Sequence, residues 1–124
     1  MQKLAVVVTT PPYSNLTATA IEFVEAVVSQ NIQIIGIFFY QQGVLNASKV
    51  LSVPSDEFQA ITRWAEISQQ HQIPLHLCIT AAEKHGLSDE LETSNLSNIS
   101  DNFIVSGLGE LVEHTNAADR VVQL

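Results

Sequence analysis

The sequence has few cysteines, few basic residues and no long apolar run. Its single cysteine among 124 residues cannot form an internal disulfide, which fits a reducing compartment. Only 5 basic residues stand against 13 acidic ones, for a formal net charge of −8. Such an acidic surface repels a phosphate backbone, so direct nucleic-acid binding is disfavoured.

The apolar runs are too short for a membrane or secretory protein. The longest, residues 34–40, is far below the ~20 residues that cross a bilayer. The apolar stretch near the amino end, residues 4–8, is shorter than the core of a secretory signal. We therefore expect a cytoplasmic protein that does not bind membranes.

Apolar residues are abundant for a chain of this size. They make up 46% of the sequence, whereas charged residues make up 15%, below the ~25% of an average domain. We expect residues 1–124 to form one domain, and a domain this small has little interior. Part of the apolar surface is therefore predicted to be buried against other subunits.

Strand and helix patterns alternate along the chain. This order predicts a single-domain three-layer α/β sandwich, flavodoxin/Rossmann-like, with a mainly parallel sheet of about five strands. Residues 87–101 are predicted to be a loop with room for one short helix, and QQGVLNAS a turn built on Gly43 and Asn46. The predicted strands are 3–8, 32–40, 75–79, 103–106 and 120–124. The predicted helices are 17–30, 55–72, the segment after Thr80, and 107–116. In the second helix, Ser55 is the predicted N-cap, and the residues from Phe58 to Ile67 include its predicted buried stripe.

The lone cysteine, Cys78, falls where the third strand meets a helix. Free cysteines are often buried as small hydrophobes, which is one interpretation. The alternative is a reactive thiol, because working groups of such folds lie beyond the carboxyl ends of the strands. The first N–H groups of the following helix could face its sulfur, but a helix dipole contributes only about 0.3–1 kcal/mol. Lowering a thiol pKa by about two units takes ~2.7 kcal/mol, so a second group would be needed.

Two histidines lie close to Cys78 in the sequence. His76 points to the same side of the strand, and we expect a buried histidine bonded to a backbone carbonyl. His85 is expected to cap the carboxyl end of the short helix. A metal site from His76, Cys78 and His85 has no recognised ligand spacing. A Cys78 hydrolase could use Asp56 or Asp89, but the sequence shows no oxyanion motif. We therefore predict no hydrolase site, and we predict neither a metal nor a cofactor.

Two further segments could suggest a ligand site. GLGELV, residues 107–112, imitates half of a dinucleotide motif, but Val112 replaces the third glycine and too little chain follows. Its glycines are expected to form a tight turn with close helix packing. Tyr13, in the loop after the first strand, could border the Cys78 site or serve simple packing.

Several blocks together resemble one family. LAVVVTTPPYSNLTATA, IFFYQQGVLNASKV, SDEF, LHLCITAAEKHGL and SGLGELVEHTNAADRVVQL are similar, nearly throughout the chain, to the TusD branch of the DsrE-like family. The loop TTPPYSN stands where the family often has glycine, and residues 90–101 differ most. The resemblance implies a DsrE-like fold and places Cys78 at the family's persulfide-carrying cysteine.

The resemblance also implies an activity and partners. It implies a sulfurtransferase in which Cys78 accepts sulfur from a TusA-like donor and passes it to a TusE-like acceptor. The sulfur would end in the 2-thiolation of a tRNA wobble uridine by a separate enzyme. Companion TusB- and TusC-like subunits would complete a dimer of heterotrimers. The alternative is a non-catalytic assembly subunit of a DsrE-like hetero-oligomer.

Overall fold

A five-stranded parallel sheet forms the centre of the molecule. The computed structural model describes residues 2–88 and 98–124. Within them, all strand pairs are parallel and the strand order is β4-β3-β2-β1-β5. This confirms the predicted α/β class and sheet. The strands are β1 (Lys3–Val8), β2 (Gln33–Phe39), β3 (Leu75–Cys78), β4 (Phe103–Ser106) and β5 (Arg120–Gln123).

Helices connect these strands in the described part of the chain. In the first of them, the Ser14 hydroxyl oxygen accepts a hydrogen bond from the Leu16 N–H at 3.1 Å, and Ile21 and Val24 face the core. A 3-10 helix, Gln41–Ala47, stands where the sequence predicted only a turn. The α-helices are α1 (Asn15–Ser29), α2 (Ala60–His71), α3 (Ile79–Lys84) and α4 (Leu108–Ala117).

The helices lie on both faces of the sheet, as predicted. Parallel crossovers are right-handed, so α1 to α3 share one face and α4, which returns across the sheet from β4 to β5, lies on the other. Side-chain contacts agree: Phe39 packs against Trp64 of α2 at 5.2 Å between ring centroids, whereas His114 of α4 lies over Gly36. Gly36 and Phe39 are three residues apart on β2 and so face opposite sides.

The predicted start of the second helix is wrong. Ser55 is not an N-cap; α2 begins at Ala60 after Gln59, and Phe58 is 39% exposed instead of buried. The Gln59 side-chain amide donates to the carbonyl oxygens of Pro54 at 2.8 Å and Glu57 at 3.1 Å. These bonds hold the preceding segment in a turn, so the helix cannot extend back to Ser55.

Asn46 is a buried anchor and not the turn residue that the sequence predicted. Its amide nitrogen donates to the carbonyl oxygens of Thr10 at 3.0 Å and Gly43 at 2.9 Å. Its side-chain oxygen accepts from the Trp64 indole N–H at 3.0 Å. Because all these polar groups are paired, the network ties the 3-10 helix to the end of β1 and to α2 without leaving a buried group unsatisfied.

Three other expectations have different outcomes. The 89–97 part of the predicted loop at 87–101 lies outside the described residues, while Ser48 and Ile99 form an isolated antiparallel bridge. The predicted close packing around Gly107 and Gly109 is wrong, because an added Cβ at either position would meet no atom within 4 Å. Among helices of the described residues, none has the length and apolarity to cross a membrane.

Candidate functional site

Cys78 lies at the carboxyl end of β3, where the strand passes directly into α3. It is the N-cap residue of α3, and it stands opposite Ser106 in the parallel register with β4. Cys78 is only 1% exposed and belongs to the hydrophobic core. The sequence therefore placed the thiol at the correct edge of the sheet, but in the isolated chain the thiol lies beneath the surface.

A cleft of about 370 Å³ has Cys78 in its wall. It is formed where β2, β3 and β4 end, as expected for a parallel sheet. The adjoining rim includes Gln41 and Gln42, which are exposed, and the Gln41 backbone is in the left-handed region at φ 52°. The lining residues are Tyr40, Gln41, Gln42, Cys78, Thr80, Ala81, Lys84, His85 and Leu108.

The polar groups around the cleft differ from those predicted. The sequence allowed the first N–H groups of α3 to face the Cys78 sulfur, but the Cys78 side chain makes no capping hydrogen bond to this helix. Instead the cleft is lined by Lys84 and His85, near the end of α3. In a chain of net charge −8, this local basic character favours anionic groups at the cleft.

Of the other residues considered with Cys78, His85 lines the cleft, whereas Tyr13 and Asp56 do not. His85 is the C-cap of α3, as predicted, and Gly86 follows at φ 79°. Tyr13 is 58% exposed and lines a separate cavity with Phe58, so it does not border the Cys78 cleft. Asp56 is exposed and is not among the cleft residues, while Asp89 lies outside the described residues.

His76 is buried, as predicted, but its partner is a side chain and not a backbone carbonyl. Its Nδ1 lies 2.9 Å from the Ser106 hydroxyl oxygen, and its Nε2 lies 3.8 Å from Glu110 Oε1. Burial lowers the pKa of His76, the nearby His114 lowers it further, and Glu110 acts in the opposite direction. Burial therefore favours the neutral form of the His76 imidazole.

Glu110 and His114 complete a polar cluster that sequence reasoning missed. They are four residues apart on α4 and so share one helix face. The His114 Nε2 lies 3.9 Å from Glu110 Oε1, and its ring packs edge-to-face on His76 with centroids 4.8 Å apart. The only signal in the sequence is the Glu-x-x-x-His spacing, which does not reveal that α4 brings these side chains against His76 of β3.

The place of His114 depends on β2. The register of β1 with β2 skips Ile35, so the sheet is irregular beside Gly36. A Cβ at Gly36 would lie 2.4 Å from His114 Cε1. Glycine at this position therefore creates the space in which the imidazole lies against the sheet.

Comparison with solved structures agrees with the fold. The ychN protein from E. coli superposes with a TM-score of 0.80 at 24% identity, with all of each chain covered. A protein of unknown function from Methanobacterium thermoautotrophicum superposes with a TM-score of 0.71 at 13% identity, again over all of each chain. These likenesses define the fold class. The sequence pattern of the DsrE/DsrF-like family matches residues 2–124, and the chain belongs to this family.

Proposed function

We propose that the chain is a TusD-type sulfurtransferase subunit that carries a persulfide sulfur on Cys78. The observation that carries the proposal is the position of the single cysteine, in the wall of a cleft at the carboxyl edge of the sheet in a DsrE/DsrF-like protein. The resemblance to the TusD branch supplies the activity. The partly basic wall and the acidic remainder of the chain are consistent with protein partners.

The chemistry is a pair of thiol exchanges with no net oxidation. The Cys78 thiolate attacks the outer sulfur of a donor persulfide; a new S–S bond forms to Cys78 and the donor's S–S bond breaks, which releases the donor thiolate. An acceptor thiolate then attacks the outer sulfur on Cys78 and releases the Cys78 thiolate. Neither step requires a metal, nucleotide or external oxidant.

Access to the sulfur depends on the rim of the cleft. Since Cys78 is 1% exposed, a donor persulfide must enter the cleft and displace rim side chains before the sulfur atoms meet. Gln41, Gln42 and Leu108 are exposed at this rim and can move without opening the core. Lys84 lies in the wall of the cleft, where its positive charge favours the negative charge that passes from the Cys78 thiolate to the released donor thiolate.

The proposed partners follow the resemblance. The donor is TusA-like, the acceptor is TusE-like, and the sulfur reaches a tRNA wobble uridine through a separate enzyme. Exposed apolar side chains are consistent with companion TusB- and TusC-like subunits in a dimer of heterotrimers. On and beside α4 these are Ile104, Leu108 and Val112.

The second candidate is a non-catalytic assembly subunit, and the burial of Cys78 favours it. A small buried thiol is an ordinary core residue. The two candidates differ in whether Cys78 accepts sulfur.

Intact mass spectrometry after incubation with a persulfide donor tests the proposal. Wild-type protein should gain the mass of one sulfur atom, and a thiol reductant should remove it. Cys78→Ser should fold and assemble as wild type does but gain nothing. If wild-type protein stays unmodified while the donor remains loaded, the sulfur-carrier role is contradicted and only the assembly role remains. The same conclusion follows if Cys78→Ser gains as much mass as wild type.

A further inference from the structure

The cluster of His76, Glu110 and His114 has the composition of a metal site. Each residue offers one ligand atom, and these atoms all lie within 4.8 Å of one another. Two imidazoles and one carboxylate, with a fourth position left for water, form a recurrent protein ligand set for zinc. None of the three residues lines the Cys78 cleft, so this cluster is separate from the proposed sulfur site.

The hydrogen bonding of His76 prepares one nitrogen for a metal. The Ser106 hydroxyl is in position to donate to the Ile104 carbonyl oxygen at 3.4 Å, which leaves its oxygen to accept from the His76 Nδ1–H at 2.9 Å. In that tautomer the His76 Nε2 carries its lone pair toward Glu110. Metal-bound histidines usually have such a partner on the second ring nitrogen, because it fixes the tautomer and the ring orientation.

His114 has a polar atom that the described residues leave unsatisfied. The residue is 9% exposed, and its Nδ1 is buried without a hydrogen-bond partner among the described residues. Its Nε2 is 3.9 Å from Glu110 Oε1, which is too far for a hydrogen bond. A metal ion bound at Nε2 would join this nitrogen to Glu110 inside the recess that Gly36 leaves, with the proton of the ring on the buried Nδ1.

We infer that His76, Glu110 and His114 bind a divalent transition-metal ion, with zinc as the best match to the ligand set. Tetrahedral zinc with ~2.0–2.1 Å bonds brings its ligand atoms to roughly 3.3–3.4 Å from one another. The present contacts of 3.8 Å and 3.9 Å to Glu110 are wider and the whole set spans up to 4.8 Å, so the imidazoles as well as the carboxylate must close around the ion. The Glu110 side chain is 35% exposed and can rotate inward, so that the ion connects β3 to α4.

Zinc titration of the full chain by calorimetry, after chelator treatment and desalting, tests the inference. Wild type should bind one equivalent, and Glu110→Gln should weaken the affinity by at least about tenfold. Glu113→Gln is the matched control, since Glu113 is an exposed carboxylate on the same helix outside the cluster, and it should bind as wild type does. No binding to wild type, or equal binding to Glu110→Gln, would overturn the inference.

Cys78→Ser distinguishes the cluster from the thiol. Cysteine is itself a zinc ligand, so zinc held by Cys78 would be lost in this variant, whereas zinc held by the cluster would remain.

The visible spectrum of the cobalt(II)-loaded wild-type protein gives a readout that needs no variant. A four-coordinate nitrogen and oxygen site should absorb without a thiolate-to-cobalt band. A thiolate band, or loss of binding in Cys78→Ser, would overturn the inference without affecting the sulfur-carrier proposal.

Discussion

At the scale of single residues, Cys78 and Gly36 illustrate what the sequence could and could not predict. The rule that parallel folds place working groups beyond strand ends located Cys78 in the cleft wall. No comparable rule indicated Gly36, because its role depends on a helix that begins more than seventy residues later in the chain. A glycine within a strand pattern indicates in general a bulge or a close approach, without identifying the partner.

Replacing Gly36 with alanine should destabilise the protein. The new Cβ would lie 2.4 Å from a His114 ring atom, so the buried imidazole or the strand must shift. We expect a loss of about 1–3 kcal/mol in the free energy of unfolding, measured by urea denaturation. Gly109→Ala is the matched control with the opposite sign: it meets no atom within 4 Å and lies in α4, so about 0.5–1 kcal/mol should be gained. Equal stability of Gly36→Ala and wild type would contradict this account of His114.

Lys84 should influence the reaction of Cys78 with anionic reagents. Lys84→Glu reverses one charge in the wall of the cleft and should slow persulfide uptake by roughly threefold or more at low salt, with the difference shrinking as salt is added. Lys49→Glu makes the same charge change outside the cleft, beside Asp101, and should leave the rate near that of wild type. The two uptake rates can be compared by intact mass spectrometry of samples quenched at successive times. Equal slowing by both variants would assign the effect to net charge alone.

At the scale of elements, predictions were best where one local signal dominated. β1 and β4 have their predicted bounds, because short runs rich in β-branched residues have few alternative structures. The start of α2 was missed because side-chain bonds from Gln59 compete with helix formation, and such contacts are not visible in apolar spacing. The 3-10 helix was missed because it depends on Asn46 reaching Thr10 and Trp64 across the fold.

The 3-10 helix should tolerate no side chain at Gly43. A Cβ there would lie 2.1 Å from the Val8 carbonyl oxygen, and backbone on both sides cannot move away easily. Gly43→Ala should therefore cost about 3 kcal/mol in the free energy of unfolding by urea denaturation. Because the same helix forms part of the Cys78 cleft, the thiol should also alkylate faster in this variant. A change below about 0.5 kcal/mol would show that the helix does not pack against β1 as described.

At the scale of the whole molecule, the exposure of apolar side chains could be predicted from composition, whereas the assembly of the polar cluster could not. The excess of apolar residues led to the expectation of subunit contacts, and large apolar side chains are indeed exposed, among them Val50 and Val112. The partners themselves remain a prediction. The contact between α4 and β3 that assembles His76, Glu110 and His114 is a property of the complete fold, so sequence spacing could not predict it.

The stability of the chelator-treated protein should fall in mild acid. His76 faces Ser106 of β4 and both Glu110 and His114 of α4, and its pKa is lowered mainly by burial. The unfolded chain, with an ordinary histidine pKa of ~6.5, therefore binds the proton more readily than the folded chain. The contribution of neutral His76 to the free energy of unfolding is fully present at pH values above ~6.5. It is lost as the pH falls from there toward the lower pKa of His76 in the folded chain.

Urea denaturation at about pH 7.5 and about pH 5.5, on either side of the ordinary histidine pKa, measures this effect. His76→Gln should reduce the difference in unfolding free energy between the two conditions. His71→Gln, at the exposed end of α2, should keep it. A difference that is unchanged in His76→Gln would assign the acid sensitivity to other groups.

The transfer of sulfur away from Cys78 tests the central claim most directly. Protein loaded with one labelled sulfur and separated from its donor is mixed with a TusE-like acceptor, and the label on each chain is followed with time. The account predicts that the label leaves Cys78 and appears on the acceptor in equal amount. Label that stays on Cys78 for as long as it does with an acceptor lacking its cysteine would contradict it.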